Sequence, residues 1–231
     1  MHLLASLLTL AVTSSALAQK PAIVLVHGAF ADASSWSKVI PILEQDGYFV
    51  TAVQIPLTSL PDDVAVAKRM IDAQKGAVVV VGHSYAGAVI TDAAAGNPNV
   101  KSLVYVNAFA PDAGEALAEA GNKFPQPSLN SALIPDAARF LYIDRAKVHD
   151  VFCKDLPASD ARIIAATQKP LNKAVFDASG ISVSDWHDHD FKLHVHEILL
   201  GCLVRHRAAG FSARRLRGPG RRPAVVVGGR E

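Results

Sequence analysis

The sequence predicts an α/β protein built on a doubly wound, mostly parallel sheet with a helical cap. Three observations predict it. Continuous β-branched runs alternate with amphipathic segments as far as Asp112. A glycine-flanked serine stands where the strongest of these runs gives way to an alanine-rich segment. The 231 residues, 50% hydrophobic, suffice for one sizeable core.

The first segment is read as a leader rather than as structure. Leu3 to Val12 is an apolar run, followed by small and polar residues and by Ala16-Leu17-Ala18, a small-x-small cleavage site before Gln19. Residues 1–18 are therefore expected to be a signal peptide, which points to a secreted or periplasmic protein. The n-region carries His2 but no Lys or Arg. Read as an anchor instead, about ten apolar residues fall short of the roughly 20 that span a bilayer. No later segment is long and apolar enough, so no membrane span is expected after cleavage.

Each element of the mature chain has its own signal. Ala22 to Val26 is an unbroken apolar run, the pattern of a strand covered on both faces. A loop from His27 to Ser35 follows. Trp36, Val39, Ile40 and Leu43 then recur at helical spacing up to Gln45, and Asp46-Gly47 is a helix stop. Tyr48 to Val53 reads as a second strand. Leu60 to Gln74 reads as a helix with Pro61 in its first turn, where a missing N–H does no harm. Ala77 to Val81 is the strongest strand. After Gly82 to Gly87 comes a buried helix over Ala88 to Ala95, ended by Asn97-Pro98-Asn99. Leu103 to Val106 is the next strand, and its loop carries Ala110-Pro111-Asp112.

From about Ala113 to Ser184 the chain turns helical and polar without a clear strand, as expected of a cap over the open end of the sheet, where specificity would lie. This gives a core with cap over residues 19–184 and a tail over 185–231. Trp186 to His196 is crowded with His and Asp, and Arg205 onward is rich in Arg, Gly, Pro and Ala. Only Pro223 to Val227 resembles a strand, so the C-terminal strands of the sheet are expected to be missing or replaced. A shifted reading frame in a G- and C-rich gene would produce such a composition. Arg205 to Glu231 holds eight Arg against one acid and so carries +7 of a total of +2, which leaves −5 on the rest. It lacks the aromatic interleaving and helical period that nucleic-acid binding would call for, and no such partner is expected. Two cysteines, Cys153 and Cys202, form no disulfide framework and are read as two thiols.

The chemistry centres on Gly82-His83-Ser84-Tyr85-Ala86-Gly87. A serine hydroxyl becomes an effective nucleophile when a tight turn between a buried strand and a buried helix lifts it out of the sheet, and that turn needs small neighbours. The pattern departs from G-x-S-x-G in one place: Ala86 takes the second glycine's position and Gly87 lies one later. Attack on a carbonyl also needs two N–H donors for the oxyanion. The residue after the nucleophile, Tyr85, offers one; the loop His27-Gly28-Ala29-Phe30, about 55 residues earlier, is placed to offer the other.

Val24-Leu25-Val26-His27-Gly28-Ala29, Trp36, Gly82-His83-Ser84 and Asn107-Ala108-Phe109-Ala110-Pro111-Asp112 together resemble the plant methylesterase and hydroxynitrile lyase branch of the α/β-hydrolases and its bacterial esterase relatives. The resemblance covers about Pro21 to Glu115 and is looser through the cap. It implies Ser84 as catalytic nucleophile, the N–H groups of Ala29 and Tyr85 as oxyanion hole, and Phe30 against the substrate's acyl group. It also implies a small-molecule ester as substrate and no cofactor. The fold's chain order is serine, acid, histidine, with the acid after a strand that follows the cap. By residue type, Asp185, Asp188 or Asp190 are candidate acids and His194, His196 or His206 candidate bases, with no context to choose among them. Asp112 is read as a loop acid, with the triad acid as its alternative, and His83 as structural. A metal site among His187, Asp188, His189, His194 and His196 has the right ligand types but matches no usual spacing, so no metal is expected. The rival readings are a catalytically inactive hydrolase fold and a hydroxynitrile lyase.

Overall fold

The computed structural model describes residues 19–111, 114–122 and 126–177, together with the backbone of three later strands at 192–196, 214–216 and 224–226. The central sheet is parallel, in the order β2-β1-β3-β4-β8. Its strands are β1 (Ala22–Val26), β2 (Val50–Val53), β3 (Val78–His83), β4 (Val100–Val106) and β8 (Lys192–His196). The expected alternation of strands and helices is present throughout this part of the chain.

Side-chain alternation along the strands explains the two-faced cover. Val24 and Val26 of β1 and Val78 and Val80 of β3 face one core, with α2 (Leu60–Asp72) and α3 (Ala86–Ala93) packed there. Ile23 and Leu25, with Val79 and Val81, face the other core, where Trp36 and the residues of α1 (Ile40–Gln45) lie. All five residues of β1 are buried. Burying a Val or Leu side chain is worth about 1.5–3 kcal/mol, so this central strand contributes from both sides at once.

The helix predicted from Trp36 to Gln45 is two pieces. Asp32 caps a 3-10 helix, Ala33–Trp36, by accepting the Ser34 N–H at 2.7 Å, and α1 begins only at Ile40. Pro41 lacks the N–H that an uninterrupted helix would need there. Gly47, at φ 77°, then lets the chain turn toward β2.

Two sequence expectations are corrected. The cap is not purely helical: β5 (Leu133–Pro135), β6 (Phe140–Ile143) and β7 (Leu171–Asn172) form an antiparallel sheet among α4 (Leu117–Asn122), α5 (Val148–Phe152), α6 (Ala158–Thr167) and α7 (Ala174–Asp177). These strands are two to four residues long, too short to show a period. Gln168 ties α6 to β6, its side-chain oxygen accepting the Ile143 N–H at 2.7 Å and its amide donating to the Ile143 carbonyl at 2.9 Å. The second correction concerns the tail. β8 pairs in parallel with β4, with Val104 beside His194 and Val106 beside His196, where the sequence reading expects strands to be missing or replaced. β9 (Arg214–Leu216) and β10 (Ala224–Val226) form an antiparallel pair, the latter inside the stretch read as a short strand.

Candidate active site

Four non-glycine residues adopt left-handed backbone angles at one end of the sheet, each after a different strand. They are Phe30 (φ 62°) after β1, Leu57 (φ 62°) after β2, Ser84 (φ 53°) after β3 and Asn107 (φ 42°) after β4. Such residues cost on the order of 1–3 kcal/mol each and persist only where their surroundings hold them. Ligand sites of open parallel sheets form at this carboxyl end of the strands.

Ser84 is held at its turn by three backbone bonds. Its N–H donates to the Val106 carbonyl at 3.1 Å, and its carbonyl accepts from the N–H groups of Gly87 and Phe109, both at 3.1 Å. Among the described residues, nothing bonds the half-buried Ser84 hydroxyl, so it stands unengaged where β3 hands over to α3.

The glycines explain how the chain fits around it. A Cβ on Gly28 would lie 2.9 Å from the Ser84 Cβ and 3.1 Å from the His83 carbonyl oxygen, so the first loop reaches the serine only without a side chain. A Cβ on Gly82 would lie 2.7 Å from the Ala86 carbonyl oxygen. At Gly87 it would lie 2.1 Å from the Phe109 carbonyl oxygen, because the loop after β4 crosses there. The late glycine of the motif thus serves contact with that loop, while the fully buried Ala86 fits the position where the pattern has glycine.

Each expected site residue in this half of the site has a place. Ala29 follows Gly28 in the first loop, Tyr85 follows Ser84 at the start of α3, and no acceptor takes either N–H among the described residues. Helix starts leave such donors open. Phe30 is 3% exposed, edge-on to Phe152 of the cap at 6.4 Å, and its carbonyl accepts the Lys169 N–H at 3.3 Å. It therefore joins the first loop to the cap. Phe152 is a contact the sequence reading misses, since nothing in a five-residue helix marks which side chain meets the loop.

Two histidines lie nearby, and only His27 has both ring nitrogens engaged. His27 is fully buried; the Ile55 N–H donates to its Nε2 at 3.2 Å, so Nδ1 carries the proton and donates to the Gly28 carbonyl at 2.9 Å. Burial holds its pKa down at about 4. His83 meets Trp36 edge-on at 6.5 Å, and desolvation with His27 nearby lowers it to about 4 as well. Both are neutral at pH 7.

Tyr85 is anchored by an acid that the sequence reading passes over. Its hydroxyl donates to Asp63 Oδ2 at 2.7 Å, and Asp63 Oδ1 accepts the Leu57 N–H at 2.7 Å. Asp63 is fully buried in the first turn of α2. Its signal was present as an acid at a position of the helix that faces the core.

The remaining candidates fall otherwise. His194 and His196 lie on β8 by backbone alone. Asp112, Asp185, Asp188, Asp190, His187, His189, His206 and Cys202 lie outside the described residues. Cys153 is buried, its thiol 3.6 Å from the Val148 carbonyl oxygen. Among the described residues, no cluster of three or more His, Cys, Asp or Glu could hold a metal, and no helix is long and apolar enough to cross a membrane.

Against known proteins, residues 23–228 match the model of the alpha/beta hydrolase family. The chain belongs to that family. The match extends through the tail as well as the core. An alpha-hydroxynitrile lyase of Arabidopsis thaliana is 36% identical over 103 residues, covering 38% of this chain and 40% of the relative. A second Arabidopsis thaliana protein, whose name places it among the chloroplastic methylesterases, is 26% identical over 174 residues, covering 64% of this chain and 39% of its own length. The chain thus spans about two fifths of these two relatives. An extracellular alpha/beta-hydrolase from a Paenibacillus species, described as a structural and functional homologue of tobacco salicylic acid binding protein 2, superposes with a TM-score of 0.65 at 19% identity. That match covers 78% of each chain and establishes the shared fold.

Proposed function

We propose that this alpha/beta hydrolase cleaves a small ester by acyl transfer to Ser84. The observation that carries the reading is a serine at φ 53°, its hydroxyl unbonded among the described residues, at the crossing from β3 to α3. Ser84 Oγ attacks the ester carbonyl while a base takes its proton. The Ala29 and Tyr85 N–H groups hold the oxygen that becomes negative, and Phe30 bounds the acyl side. Collapse of the tetrahedral species expels the alcohol, and water then releases the acid.

The base and its orienting acid are proposed in the C-terminal part of the chain. β8 is the strand that follows the cap, and the family order puts the acid after that strand. Glu197, the next residue in the sequence, is the candidate acid this order favours; Asp185, Asp188 and Asp190 precede β8 and remain candidates by residue type alone. His206, which comes after Glu197, keeps the order serine, acid, histidine; His194 and His196 remain candidate bases. Residues 1–18 are proposed as a cleaved export signal, which would put the reaction outside the cytoplasm.

Incubating the purified mature chain with a p-nitrophenyl ester and with a serine-directed phosphonate tests the reading. Turnover together with a phosphonate adduct on the Ser84 peptide is expected, and both should vanish in Ser84→Ala. A chain that does neither is an inactive member of the family. The identity to an alpha-hydroxynitrile lyase over 103 residues favours one second reading, in which the same serine moves a proton during cyanohydrin cleavage. Cyanide release from a cyanohydrin, without ester turnover, would decide for it.

A further inference from the structure

Asp63 is fully buried, yet it belongs neither to the nucleophile nor to the donors around it. One of its oxygens accepts the Tyr85 hydroxyl at 2.7 Å; the other accepts the Leu57 N–H at 2.7 Å. Leu57 is itself left-handed at φ 62°, and its carbonyl accepts the Asn172 N–H of β7 at 2.9 Å. Lys169, three residues before Asn172, donates its backbone N–H to Phe30 and its ammonium to the Ile55 carbonyl. The cap's return strand, the loop after β2, the first loop and the serine turn thus meet within a few bonds of one carboxylate.

Resting on the reading of Ser84 as nucleophile, we propose that Asp63 is a positioning residue: through the Tyr85 side chain it fixes the amide next to Ser84, and through Leu57 it ties that amide to the cap. A tyrosine ring anchored at its far end cannot swing, and its backbone N–H is then held to the direction a developing oxyanion needs. Preorganised donors act because they do not reorient during the reaction.

The ionised carboxylate suits this role, because it accepts fully at both oxygens and has no proton of its own to place. The groups facing it are the Tyr85 hydroxyl from the serine turn, the Leu57 N–H from the loop after β2, Asp62 beside it on α2 and the Lys169 ammonium from the cap. Burial raises Asp63 to about 6 against the lowering by Tyr85, Leu57 and Lys169, so the charged form prevails at pH 7.

The test compares wild type, Tyr85→Phe, Asp63→Asn and the double variant at pH 7.5, reading kcat and KM on a p-nitrophenyl ester and the rate of phosphonate labelling. Misplacing a reacting group by about 1 Å costs up to about a hundredfold in rate. Each single variant is therefore expected to lower kcat and labelling about ten- to a hundredfold with KM within about twofold. The double variant should fall little further, because both substitutions cut the same link. Tyr85→Phe keeps every backbone atom and the bond from Asp63 to Leu57, so it answers even where Asp63→Asn does not fold. A labelled wild type whose variants label at the same rate, or whose variants raise KM at constant kcat, overturns the inference alone. An unlabelled wild type overturns the nucleophile reading and this inference with it.

Discussion

Ser84, Phe30, Leu57 and Asn107 concentrate the backbone strain of the described core at the carboxyl ends of four neighbouring strands. None is glycine, so each is held by contacts, while Gly28, Gly82 and Gly87 sit where another segment of the backbone passes close. Gly87→Ala shows the difference. Its Cβ would lie 2.1 Å from the Phe109 carbonyl oxygen, so either α3 or the loop after β4 must move. A loss of about 1–3 kcal/mol in denaturant unfolding is expected, with slower ester turnover because the same loop anchors the Ser84 carbonyl. The motif GHSYAG was legible as a nucleophile turn from the sequence. What Gly87 contacts was not, because Phe109 lies 22 positions away and only the fold brings it near. Asp63 differs: its only signal was its place on the face Leu60, Asp63, Ala67 and Ile71 of α2, which the exposed Asp62 does not share.

The buried titratable residues also set the acid behaviour. His27 and His83 fall from 6.5 to about 4, so between those values the unfolded chain binds more protons and stability is lost as pH drops through the window. Asp63 rises from 3.8 to about 6, so between those values the folded chain binds the extra proton and acidification adds stability. Two losses against one gain leave a net fall of about 1.4 kcal/mol per pH unit between pH 6 and 4, one proton's worth. Asp63→Asn removes the opposing gain and should steepen the fall to about twice that. Denaturant midpoints taken across pH 4 to 7 on both proteins check the sign and the ratio.

At the scale of elements, long periodic segments were readable and short ones were not. β1, β3, α2 and α3 lie where apolar runs and helical spacing put them, because each buries at least one full face. The cap strands β5 to β7 escaped, being fixed by pairing with one another rather than by a pattern of their own. α2 shows how local chemistry still sets an end. The Ser59 hydroxyl accepts the Asp62 N–H at 3.2 Å, and Pro61 fills the first turn. Ser59→Ala should cost about 1 kcal/mol, the usual loss for a helix cap, read as a lower thermal midpoint. Because α2 carries Asp63, ester turnover in that variant should fall more steeply with temperature than in the parent.

For the molecule as a whole, the site divides between two stretches of chain with different sequence character. The proposed nucleophile and oxyanion donors come from the first half, where strand, loop and helix follow in regular order. The proposed base comes from the half where that order fades, and β8 is the feature that reconnects the two. It lies beside β4 with His196 level with Val106, and Val106 in turn pairs with His83, the residue before Ser84. The composition of residues 185–231 hid this strand, since alternating His and apolar residues at 192–196 suit a solvated segment as well as a sheet edge. Single substitutions His194→Ala, His196→Ala and His206→Ala therefore distinguish the arrangements. If one of them is the base, its loss should lower kcat by about a thousandfold or more while the other two stay within tenfold, since members of such a triad act as a unit. An active parent in which all three variants keep full turnover would remove the C-terminal histidines from the reaction. It would leave the proton of Ser84 to a group elsewhere in the chain.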